Sequence, residues 1–134
     1  MILVIGDRTT IKDIQQEFQK AYPFLDIRFS DRPHDFGTAT NKGHWYDADK
    51  RLFDITEISG PGYVYIQPWN KTWDVEEQFK TRFKLYPQIF RKEDDQWVQT
   101  AGTDDFTLEE QNEIGKQSLE RRNGNLWIER EKFL

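Results

Sequence analysis

No cysteine occurs in this sequence. Disulfides, thiolate nucleophiles and thiolate zinc sites are therefore excluded together. Histidine is scarce as well. His34 and His44 stand in a loop with Asp35 and Asp47 nearby, a spacing that matches no metal motif and reads as two solvent-exposed side chains. Asp47-Ala48-Asp49 opens like a calcium loop, but Arg51, Leu52 and Ile58 then occupy positions that such a loop needs for a ligand, a glycine and a closing glutamate. No metal and no cofactor is implied. Long apolar runs are missing too. Met1 to Gly6 is apolar but short, has no basic stretch before it and is broken by Asp7. No segment approaches the roughly 20 residues of a membrane-spanning helix. The expectation is a cytoplasmic protein.

Basic excess is also lacking. The net charge is -5, and residues 1–61 (8 basic, 10 acidic) and 62–134 (11 basic, 14 acidic) are both acidic. Phosphate backbones are bound by concentrated lysine and arginine, so nucleic acid is disfavoured as a partner. The local exception is Lys80, Arg82, Lys84, Arg91 and Lys92, interleaved with Phe83, Tyr86 and Phe90. Rings among cations can bind single strands, but Phe83 and Phe90 are claimed by the core pattern below. Aliphatic residues are few, with 36% hydrophobic residues and a mean hydropathy of -0.90. Aromatics reach 15%, with ten Phe, five Tyr and five Trp. Each ring can bury roughly 150–250 Å², so an aromatic-rich core is expected.

What is present is a repeating order. Ile2 to Ile5 reads as a buried strand. Thr9 or Thr10 offers a helix N-cap, and Ile11, Ile14, Phe18 and Tyr22 follow at helical spacing until Pro23. Leu25 to Phe29 reads as a second strand. The same order returns with the strand Tyr63 to Ile66, a helix capped by Thr72 and carrying Val75, Phe79 and Phe83, and the strand Pro87 to Lys92. Asp13/Asp74, Ile14/Val75, Phe18/Phe79 and Tyr22/Phe83 are all separated by one and the same interval. Gln96 to Thr100 should pair with 88–92 across Asp94-Asp95, and its first-copy equivalent should lie near His44 to Tyr46 after the long loop 30–43.

Thr107-Leu108-Glu109-Glu110 forms a capping box. The helix behind it should present Leu108, Asn112, Gly115 and Leu119 inward and stop at Asn123-Gly124. The expected architecture is α+β: two tandem β-α-β-β(α) units sharing a sheet and a core about a pseudo-twofold. The units are residues 1–58 and 62–124, and an apolar tail follows at 125–134.

Residues 72–116 resemble an uncharacterised family of small bacterial proteins through Phe90-Arg91-Lys92, Trp97, Thr103-Asp104, Thr107-Leu108, Gln111-Asn112 and Gly115. The resemblance covers about a third of the chain. It implies a compact, cytoplasmic bacterial protein with tandem β-α-β-β units and implies no activity.

Catalytic motifs are absent: no Gly-x-Ser-x-Gly, no Ser-x-x-Lys and no phosphate loop with its Lys-Ser/Thr pair. Asp94-Asp95 and Asp104-Asp105 read as turn and cap residues. No catalytic residue is assigned, and the chain reads as a non-enzymatic interaction or structural module that self-associates or binds another protein. Leu126, Trp127, Ile128, Phe133 and Leu134 are the candidate homodimer surface, with 125–129 as an added edge strand in the rival arrangement. Candidate binding residues are Trp69 and Trp73 beside a helix entry, Trp97, and Gln111 and Asn112 on the last helix. The alternative function is a ligand-binding domain or enzyme using the surface around Arg91, Trp97, Asp104 and Asn112.

Overall fold

A computed structural model describes residues 1–32, 44–57, 60–100 and 102–132, with side chains as far as Arg121. His34 and most of the loop 30–43 lie outside these residues. In chain order the elements are β1 (Ile2–Ile5), α1 (Ile11–Ala21), β2 (Leu25–Ser30), α2 (Leu52–Ile55), β3 (Gly62–Tyr65), α3 (Thr72–Phe83), β4 (Tyr86–Glu93), β5 (Gln96–Gln99) and α4 (Leu108–Lys132). The fold is α+β, and the strand pairs among the described residues are antiparallel. Strands fall into two sheets, β1-β3 and β2-β4-β5, rather than the single shared sheet expected.

Helix α1 forms where its apolar spacing and its cap coincide. Thr10 caps α1: its hydroxyl accepts from the Asp13 N–H at 3.1 Å, and Asp13 accepts from the Thr10 N–H at 2.9 Å. Ile11, Ile14 and Phe18 are buried on one face of α1, and Val75, Phe79 and Phe83 on one face of α3. Phe29 and Phe79 meet edge to face with ring centres 5.2 Å apart. Burying such a side chain contributes roughly 1.5–3 kcal/mol. Lys71, not Thr72, occupies the N-cap position of α3. Thr72 is buried one residue further on and spends its hydroxyl on Phe106 O at 3.1 Å. The β4–β5 hairpin turns at Asp94, whose φ of 53° is left-handed.

Strands that correspond under the repeated interval pair with each other. Leu3 faces Val64 in β1-β3, and Ile27 faces Ile89 in β2-β4. Loop hydrogen bonds also recur at this interval. The Gly6 N–H donates to Thr9 Oγ1 at 2.9 Å, and the Gln67 N–H donates to Asn70 Oδ1 at 2.7 Å. At the start of α1, Ile11 and Lys12 donate to the carbonyls of Lys50 and Ala48; at the start of α3, Thr72 and Trp73 donate to those of Phe106 and Asp104. Leu52 and Leu108, the first residues of α2 and α4, are both fully buried.

Two expectations about the C-terminal part are corrected. The inward row of α4 is Leu108, Gln111, Gly115 and Ser118, with Asn112 and Leu119 at its margin. Hydropathy favours Leu119, but the amide of Gln111 finds enough partners to be buried. The helix also runs through Asn123-Gly124 to Lys132, so 125–129 is not a strand. A single internal glycine costs about 1 kcal/mol, and Leu126, Glu129, Arg130 and Lys132 are good helix formers. The side chains of Leu126, Trp127, Ile128, Phe133 and Leu134 lie outside the described residues.

Candidate functional site

The polar residues singled out on α4 are committed to the fold. Gln111 is fully buried. Its Oε1 accepts from Arg91 Nη1 at 2.7 Å, and its Nε2 donates to Thr103 O at 2.7 Å, to Thr103 Oγ1 at 3.0 Å and to Thr72 Oγ1 at 3.4 Å. One amide thereby ties β4, α3 and the turn at 103 to α4. Asn112 Oδ1 accepts from the Phe24 N–H at 2.9 Å. Beside it, a Cβ on Gly115 would lie 2.9 Å from Phe24 Cβ and 3.2 Å from Lys92 O, so this glycine permits the helix to approach the chain at Phe24. Asp104 is buried, and its carbonyl receives the Trp73 N–H at 3.0 Å.

Trp97 is elsewhere. It pairs with Lys92 on β4, and Lys92 Nζ lies 4.9 Å from its ring centre. Successive residues of a strand point to opposite faces, so Lys92 and Trp97 lie across the sheet from Arg91 and Gln111. Trp45 and Arg28 pack on Phe90, which shares the face of Lys92. Trp73 is half-buried beside a dent of about 10 Å³, room for one water. Trp69 is 69% exposed at the entry to α3. The structure thus brings Gln111 together with Arg91, while Trp69 and Trp97 stand apart from that pair.

Residues that the sequence pattern does not single out as candidates make an exposed apolar face. An apolar run such as Ile2 to Ile5 reads as buried throughout. Instead Leu3 and Ile5 are buried, while Ile2 is 56% and Val4 61% exposed. Across the ribbon, Tyr63 is 50% and Tyr65 46% exposed. The register places Ile2 opposite Tyr65 and Val4 opposite Tyr63, all on one face. The cause is that this two-stranded ribbon is covered on one side only. The alternation Tyr63-Val64-Tyr65-Ile66 carries that signal. Arg82 lies against the face, with its guanidinium carbon 5.3 Å from the Tyr65 ring centre. An open groove of about 400 Å³ runs between β1 and α1, lined by Ile2, Val4, Thr9, Asp13, Gln16 and Glu17.

Among the described residues, no three His, Cys, Asp or Glu side chains gather as a metal ion needs, and no helix is long and apolar enough to cross a membrane. Comparison with protein-family models, with curated proteins and with solved structures finds no match.

Proposed function

We propose that the protein is a non-enzymatic interaction module of the cytoplasm that binds another protein through the outer face of the β1–β3 ribbon. The observation that carries this reading is the set Ile2, Val4, Tyr63 and Tyr65: four large side chains, each about half exposed or more, on one face of the ribbon. Contiguous apolar surface of this kind marks contact sites on soluble proteins, and tyrosine is enriched where contacts are strong. The polar residues of α4, by contrast, are occupied with holding the fold. Self-association through Leu126, Trp127, Ile128 and Phe133 is a further form of the same reading, supported by the apolar content of 125–134.

We also read residues 1–58 and 62–124 as copies of one unit, supported by the pairing of counterpart strands and the matched loop hydrogen bonds. The test of the interaction reading is photo-crosslinking in the native host, with benzoylphenylalanine replacing Tyr63. A discrete adduct at position 63, absent when the probe replaces the exposed Glu113 of α4, is expected. Equal labelling at both positions contradicts the proposal.

A further inference from the structure

The two free edges of the β1–β3 ribbon differ. Met1 and Ile66 exchange both backbone bonds, Met1 N to Ile66 O at 2.7 Å and Ile66 N to Met1 O at 2.9 Å. In an antiparallel ladder bonded and non-bonded pairs alternate. Leu3 and Ile5 therefore bond across to Val64 and Gly62, and the backbone groups of Ile2, Val4, Tyr63 and Tyr65 point to the outer edges. The β3 edge is closed by side chains of α3. The Tyr65 N–H donates to Gln78 Oε1 at 2.9 Å, Gln78 Nε2 donates to Tyr65 O at 2.6 Å, and Arg82 Nη1 donates to Tyr63 O at 2.7 Å. Gln78 thus serves Tyr65 as a strand neighbour would.

On α1, one repeat interval earlier, Glu17 stands where α3 has Gln78, and Ala21 where it has Arg82. A carboxylate has no N–H to give a strand carbonyl, and a methyl group has neither donor nor acceptor. Among the described residues, no hydrogen bond reaches the outward backbone groups of Ile2 or Val4. An unprotected edge is a template for another strand.

Building on the reading of this ribbon as a contact surface, we infer that β1 accepts an added strand from a partner segment in which apolar residues alternate with lysine or arginine. The alternation follows from the pleat. One set of side chains would extend the apolar face of Ile2 and Val4. The other would point toward α1, where Asp13 and Glu17 line the groove. Glu17 holds Lys20 at 2.8 Å in an exposed pair; such pairs are weak enough to be exchanged. Charge also argues against a second copy as the occupant. A twofold pairing of β1 with itself would set Asp13 and Glu17 of both copies against each other.

The probe is an end-blocked, fluorescein-labelled peptide of alternating valine and lysine. Its controls are a valine–glutamate peptide and the valine–lysine composition in block order. Binding is followed by anisotropy, and amide exchange at Ile2 and Val4 by NMR. The inference expects the alternating basic peptide to bind at least about tenfold more tightly than either control and to slow exchange at Ile2 and Val4. Glu17→Gln gives α1 the amide that α3 already has. In the free protein it should slow exchange at Val4, and it should weaken the peptide about tenfold. Binding that leaves both amides unprotected, or no binding at all, overturns the inference. So does protection that rises with protein concentration alongside dimer in sedimentation, which would place a second copy on the edge. If the peptide fails while the crosslink at Tyr63 persists, only the strand-addition inference falls. Loss of both removes the interaction reading as well.

Discussion

Among single residues, Tyr22 couples the fold to alkaline pH. Its ring packs against Phe18 with centres 5.4 Å apart, and it is buried beside the start of α4. Burial raises the phenol pKa above its usual 10.0, and the carboxylate of Glu109 raises it further. A group that holds its proton longer in the folded state stabilises the fold below the unfolded pKa and loses that contribution as pH rises through the folded one. Stability to urea should therefore fall from about pH 10 upward, and Tyr22→Phe should reduce the slope. An unchanged slope in the variant contradicts the assignment. Residue-scale legibility is uneven. Phe18, Phe79 and Phe83 declare their burial by spacing. Gln111 does not, because an amide held by Arg91, Thr103 and Thr72 has the same hydropathy as one in water. Ile2 and Val4 mislead in the other sense, since an apolar run does not reveal that one face is left uncovered.

At the scale of elements, the helix starts are readable because caps are local. Thr10, one of the two cap residues the sequence offers, caps α1, and the box at Thr107 stands where its residues predict. What closes against what is less legible. Nothing near Ile2 names β3 as its partner, and α2 is a four-residue helix whose only strong mark is the buried Leu52. The packing of α4 turns on Gly115, whose missing Cβ leaves room for Phe24 and the Lys92 carbonyl. Alanine would favour the helix by about 1 kcal/mol in isolation. Here the new methyl meets backbone and a Cβ, groups that cannot swing aside. Gly115→Ala should therefore destabilise the protein by about 1–3 kcal/mol in chemical denaturation. A stabilised variant would show that α4 does not approach Phe24 this closely.

In the whole molecule, one repeated interval joins features that are far apart in the chain. It relates Gly6 with Thr9 to Gln67 with Asn70, and it pairs Leu3 with Val64. We propose that duplication produced this correspondence and that later divergence at two helix positions separated the edges functionally. The change from Gln78 to Glu17 and from Arg82 to Ala21 is visible in the sequence only once the halves are aligned, and it acquires meaning only when β1 and β3 are seen as neighbours. The central claim is that one edge of the ribbon is closed by side chains while the other is open. Amide hydrogen exchange of the free, unmodified protein tests it most directly. The Tyr65 N–H, held by Gln78, should exchange markedly more slowly than the Val4 N–H, which should exchange close to the rate of an unstructured amide. Equal protection of Val4 and Tyr65 in dilute solution would contradict the account.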